Sequence, residues 1–237
     1  MLSRRVSALA RLACPARRTH STLSGDDAVR HDLRALLRET AQPVAIVTAL
    51  MPDAHRPSSA DAAAHTRFHG ATLSSFSSIA MDPAPLVAFS LRLPSRMAAA
   101  LRAPPARLVV NVLAAAQAPL AVRFSRPDLH PAPFAGVPHR LTREGLPVLD
   151  GALGALSCVL VAPPWPLHDL PALLRGEHPG DVQWDGEGVA SELFIARVTR
   201  VEKVSEDPSK SPLLYHRRAY ATTIDLPAPV PPPKPNS

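Results

Sequence analysis

Along this chain, apolar and polar residues alternate over short stretches, and a helical period stands out near the start. Val29, Leu33, Leu36 and Leu37 fall at i, i+4, i+7 and i+8, one stripe of a helix. Ser24-Gly-Asp-Asp27 reads as a capping box that opens it. Pro43 disfavours helical geometry in the residue before it, so the helix should end before Gln42. Strands are predicted over residues 43–50, 68–76, 85–91, 107–113, 152–162, 192–204 and 213–221. A Ser/Asp/Pro turn joins the second and third of these. Ser95 can N-cap a short helix over 96–103, and 114–124 forms a second one with Pro119 near its first turn. Residues 51–67 and 125–143 read as loops. Mostly antiparallel strands with a few short helices make a mainly β protein, a β-barrel rather than a set of βαβ units.

Composition refines the boundaries. With 237 residues, 46% hydrophobic and 19% charged, the chain suits one globular domain, placed at 24–225. Aromatics are only 4%, so the core must rest on Val, Leu, Ile and Ala. Residues 163–191 hold both Trp with many Pro and Gly, a long insertion between adjacent strands. Residues 226–237 are a Pro-rich tail, expected to be disordered.

Residues 1–23 read as a mitochondrial presequence, because Arg4, Arg5, Arg11, Arg17 and Arg18 occur with Ser and Ala and no acid precedes Asp26. A mitochondrial location, the matrix, follows as an expectation. Taking those five charges from the formal +6 leaves the rest near +1, which gives little support for nucleic-acid binding. The apolar run is too short and too often interrupted by charge for a membrane span. Of the two Cys, Cys158 sits in an apolar run and reads as a buried, inert thiol.

Candidate chemistry concentrates between Gly70 and Ser78, where six of nine residues are Gly, Thr or Ser. Small hydroxyl residues let a backbone approach a planar or phosphorylated ligand while offering donors. Ser95 and Arg96 at a helix start add a hydroxyl and a guanidinium suited to phosphate. His65 and His69 have a spacing that suits a helix, whereas their segment reads as loop into strand, so no metal site is expected. Asp150-Gly151 reads as a turn.

An ordered set of segments carries a resemblance. After an opening helix come Pro43-Val-Ala-Ile-Val-Thr48, His69-Gly-Ala-Thr-Leu-Ser-Ser-Phe-Ser-Ser78, Pro85-Leu-Val-Ala-Phe-Ser90 and Ser95-Arg96. Leu108-Val-Val-Asn-Val-Leu113, Phe134-Ala-Gly-Val-Pro138 and Pro147-Val-Leu-Asp-Gly-Ala152 follow. Leu193-Phe-Ile-Ala-Arg-Val198 and Pro212-Leu-Leu-Tyr-His-Arg-Arg-Ala-Tyr220 close the series. In this order they resemble the flavin reductase-like family. The resemblance implies an FMN-binding split β-barrel of Greek-key type, with FAD as an alternative flavin. It also implies NADH or NADPH as reductant, with hydride transfer to flavin N5.

Carried over residue by residue, it assigns flavin contacts to Thr72, Leu73, Ser74, Ser75, Ser90, Ser95 and Arg96. His216 is assigned a nicotinamide contact and Tyr220 the neighbouring wall, with Arg217 and Arg218 able to attract a nucleotide phosphate. A homodimer and a partner oxygenase are implied as well. The chain departs from the pattern at Pro43, where many relatives have Gly, and at Ser191-Glu192, where they often have Asp-His. These departures and the insertion leave two alternatives open: a non-catalytic FMN-binding scaffold or assembly factor, and an FMN-dependent oxidase or oxygenase of the split-barrel group.

Overall fold

The computed structural model describes residues 25–51, 67–102, 105–176, 186 and 190–224. The expected presequence, Ser24, His65, most of the 51–67 loop and the Pro-rich tail lie outside them. The chain divides into two units, residues 1–37 and 38–237. Helix α1, Gly25–Arg38, carries Asp26 and Asp27 in its first turn and Arg38 in its last, both complementing the helix dipole.

The second unit is built on a sheet of antiparallel strands. β1 (Gln42–Pro43) and β2 (Ala45–Leu50) are followed by β3 (Phe68–Leu73), β4 (Ser77–Ala80) and β5 (Leu86–Leu93). After the short helix α2 (Arg96–Ala100) come β6 (Arg107–Val112) and helix α3 (Ala118–Ser125). β7 (His139–Leu141) and β8 (Pro147–Leu149) form a small hairpin that precedes β9 (Gly154–Leu160). The insertion contributes β10 (Trp165–Pro166) and helix α4 (Leu170–Arg175), and the long β11 spans Ala190–Val204. β12 (Leu214–His216) and β13 (Ala219–Ala221) close the order.

The main sheet runs β3-β2-β6-β9-β11-β5-β4, with β10 added on β11. Laid flat, seven strands would hold the two edges about 29 Å apart. Yet the edge strands β3 and β4 are joined only by Ser74, Ser75 and Phe76, a link that reaches about 14 Å at most. The sheet must therefore curl until its edges meet, and that closure makes the barrel.

Period-2 alternation fills the inside. Val47, Leu73, Val87, Phe89, Leu108, Val110, Leu160 and Phe194 are buried in one cluster. Phe89 and Phe194 stand opposite in register and their rings stack 5.3 Å apart at 6°. Helix α2, capped by the Ser95 hydroxyl accepting the Ala98 N–H, buries Met97, Ala98 and Leu101 in the same cluster. A buried Met or Leu side chain contributes about 1.5–3 kcal/mol, so this five-residue helix is held by burial rather than by its own hydrogen bonds.

Asn111 interrupts an otherwise apolar strand for a structural reason. Its amide donates to the Ile46 carbonyl, and its oxygen accepts the Leu149 N–H at 2.8 Å, tying β2 and β8 to β6. A second cluster under α3 includes Ile46, Phe124, Phe134 and Leu213. Gly70 lets β3 approach that helix: a Cβ there would lie 2.6 Å from the Phe124 ring.

Three expectations need correction. Residues 213–221 are a hairpin rather than one strand, because Arg217 and Arg218 take positive φ (50° and 65°) as its two turn residues. Residues 77–80, read as turn, form β4 because Ser77 and Ser78 pair with β5. The strand expected over 43–50 breaks at Val44, whose N–H bonds to the Leu213 carbonyl while its carbonyl accepts the Leu113 N–H.

Candidate functional site

Where β3 and β5 face each other across the closure, a cleft of about 460 Å³ opens, a size within the range of small-molecule sites. Thr72, Leu73, Ser74, Ser75, Ser90, Ser95 and Arg96 all line it. Three elements bring them together: β3 and the corner after it, the end of β5, and the start of α2. Phe124, Ser125 and Pro127 complete the lining from the end of α3. Among the described residues β3 pairs with β2 alone, so the alternate N–H and C=O groups along its other edge are turned toward the cleft.

The hydroxyls divide by what they already do. Thr72 donates to the Ala121 carbonyl at 2.7 Å and anchors α3. Ser75 accepts the Ser90 N–H at 2.9 Å and donates to the Ser90 carbonyl at 3.2 Å. Ser95 accepts the Ala98 N–H at 3.2 Å but keeps its own proton to donate. Arg96 donates to the Pro131 carbonyl through one nitrogen, leaving further guanidinium donors at the cleft. Ser74, Ser90, Ser95 and Arg96 therefore remain as side-chain donors for a ligand, while Thr72 and Ser75 hold the walls.

Sequence reasoning weighs His69 only as a metal ligand. Among the described residues no group of metal-binding side chains gathers. His69 instead lines the cleft at 4% exposure, and its Nδ1 is sealed without a hydrogen-bond partner. Burial, then the positive charge of Arg96, pulls its pKa from 6.5 to about 4, so the ring is neutral. The alternation that puts Ala71 and Leu73 inside the barrel places His69 there too, and that period is the available signal.

A second hollow of about 230 Å³ adjoins the cleft, sharing Thr72, Leu73, Ser74 and Ser125. Tyr215 and Tyr220 line it, their rings 5.6 Å apart in an edge contact. Burial, then the charge of a neighbouring Tyr215, pushes the Tyr220 hydroxyl pKa up. His216, next to Tyr215 on β12, falls on the opposite face of the hairpin and lines neither hollow. Arg217 is engaged by Glu39 at 2.5 Å.

Pro43 pairs with Leu214 in the small sheet. Ser191 and Glu192 lie within β11 rather than ahead of it; Glu192 is buried, 3.5 Å from Arg102, and burial raises its pKa. Trp165 of the insertion stands opposite Leu193, which in turn stands opposite Ser90. The insertion thus reaches within one strand of the cleft.

Known proteins resemble this chain over most of its length. A family model described as flavin reductase like domain matches residues 37–223. A flavin reductase of Pseudomonas putida is 31% identical over 191 residues, which cover 79% of this chain and 86% of that protein. The reductase subunit HsaB of a flavin-dependent monooxygenase from Mycobacterium tuberculosis is 29% identical over 153 residues, 64% of this chain and 66% of that one. Among solved structures, the styrene monooxygenase flavin reductase of Pseudomonas putida S12 is 26% identical, with a TM-score of 0.57. That likeness covers 84% of this chain and 99% of the other. With most of its length matched in this way, the chain belongs to the flavin reductase-like family and is an oxidoreductase with that family's split-barrel fold.

Proposed function

We propose that the protein binds FMN in the cleft between β3 and β5 and reduces it at the expense of NADH or NADPH. The observation that carries this reading is the convergence of seven residues from three separate segments, 72–75, 90 and 95–96, on one cleft in a chain of this family. The residues fit the group. Open backbone edges of β3 and the Ser74 and Ser90 hydroxyls suit the polar rim of a flavin ring, and Arg96 with the Ser95 proton suits its phosphate.

When bound, the flavin supplies the two-electron acceptor for hydride from a reduced nicotinamide, at N5. The chain's own part is positioning: β3 holds one edge, Phe124 closes a side, and Tyr215 and Tyr220 offer an aromatic wall beside the cleft. The nicotinamide approaches from the side of those tyrosines, with His216 the last residue of β12 before the turn of the same hairpin.

The reduced flavin passes to a partner oxygenase, as expected for a relative of monooxygenase reductase components. A homodimer completes the cleft. Exposed Val122 and Leu129, on the segment that also supplies Phe124 to the cleft, provide apolar surface for a second copy. The arginine-rich, acid-free start of the chain supports delivery to the mitochondrial matrix.

The test is an anaerobic absorbance spectrum of purified protein with FMN, then with FAD, before and after NADH or NADPH. Bleaching of the flavin band at a rate above that of free flavin is expected. A protein that neither binds flavin nor speeds its bleaching defeats the reading.

A further inference from the structure

We propose that His69 reads the phosphate end of the flavin, its imidazole donating from Nε2 to a phosphate oxygen while Arg96 supplies the charge. This inference rests on the cleft being the flavin site. Three observations carry it.

His69 is 4% exposed, yet it is one of the residues lining the cleft. Its Nδ1 is sealed and unpartnered, so Nε2 is the ring nitrogen left open to the cleft. In a neutral ring one nitrogen carries the proton. A buried orphan N–H is rarer than an orphan acceptor, which puts the proton on Nε2. On a side chain this buried, a donor facing the cleft with no protein partner marks a place prepared for a ligand.

Position sets which part of the ligand it meets. Five residue steps lead from His69 to Ser74, just past the end of β3, about 16 Å where the chain stays extended. Ser74 shares the adjoining hollow with Tyr215 and Tyr220. His69 sits at the other end, where Arg96 acts on it and Arg92 also lines the cleft. A ring placed at the Ser74 end therefore sends its phosphate toward His69.

A neutral donor in that place also has a chemical advantage. It satisfies a phosphate oxygen without adding a third cation to the exposed Arg92 and Arg96. Its strength depends on the anion being present, so the contact favours FMN over riboflavin, which has the same ring and no phosphate.

The experiment titrates the full chain, His69→Leu and His69→Gln with FMN and with riboflavin, following quenching of flavin fluorescence. Thermal melts confirm folding of each variant. His69→Leu is expected to weaken FMN by about tenfold to a hundredfold, the worth of a hydrogen bond to a charged group. Riboflavin should change by less than about twofold. His69→Gln, which keeps a donor near the Nε2 position, should retain most of the FMN affinity. Equal weakening of both flavins, or no change in either, overturns the inference while leaving the flavin site intact. A wild-type chain that binds neither flavin overturns the proposed function and this inference together.

Discussion

The hydroxyl of Ser75 accepts the Ser90 N–H at 2.9 Å and donates to the Ser90 carbonyl at 3.2 Å. Ser77 pairs with Ala88 and Ser78 with Val87, and the same register continued would set Ser75 opposite Ser90. One side chain thus stands where strand backbone would otherwise run, and the ladder ends at the cleft without leaving Ser90 unpaired. Ser75→Ala should cost about 1 kcal/mol in urea unfolding, because both Ser90 groups lose their partner at an exposed site. FMN affinity, measured by fluorescence titration, should fall with it as the corner loosens.

Arg96 offers charge at the cleft that neutral donors cannot replace. Arg96→Gln should weaken FMN by about tenfold to a hundredfold while leaving riboflavin nearly unchanged. Wild-type FMN affinity should fall as salt is raised, and the slope should flatten in the variant. A calorimetric titration at two ionic strengths checks both.

Gly70 faces the Phe124 ring, with room for no more than hydrogen at that contact. Gly70→Ala should lower stability by about 1–3 kcal/mol through overpacking. Phe124→Leu should cost stability alone yet relieve part of the Gly70→Ala defect. A double-mutant cycle in urea should therefore be non-additive.

Acid should loosen the fold through His69. It titrates near 4 when folded, against the ordinary 6.5 it regains on unfolding. Between these values the unfolded chain takes up a proton that the folded chain refuses, so this contribution is intact above pH 6.5. It is lost as pH falls toward 4, by about 3 kcal/mol in all. Unfolding curves across that window should show the slope, and His69→Leu should remove it.

Cys158 should be unreactive in the native protein. Burial pushes its thiol pKa up to about 12, leaving almost no thiolate at neutral pH. In a Cys14→Ser background, a disulfide-exchange reagent should label Cys158 only after urea is added. Labelling of the folded chain would contradict the burial.

Much of the architecture is legible in the strand periods. Residues 107–113 are mostly apolar, 192–204 intersperse β-forming apolar residues with charged ones, and both runs are long enough that β6 and β11 follow closely. The hydroxyl-rich segment is legible too, because few core strands hold so many Ser and Thr. Gly70 reads in sequence as clearance for a ligand, whereas the space is taken by Phe124, a contact between residues 54 positions apart that no local pattern records. The turn at Arg217 and Arg218 escapes sequence reasoning because neither is a usual left-handed residue. His69 is hidden by its own chemistry: a histidine at an inward position looks polar in sequence, and burial alone makes it neutral.

Two of the three residues that join opposite rims of the sheet, Ser74 and Ser75, also border the cleft. Engineering a ligand preference by changing Ser74 or Ser75 is therefore also an edit of the ring's closure. Affinity and robustness would shift as a pair, and variants selected for one should be screened for the other. Changes confined to the floor beneath, on the side of Phe124 and Ser125, offer a route that leaves the seam itself untouched.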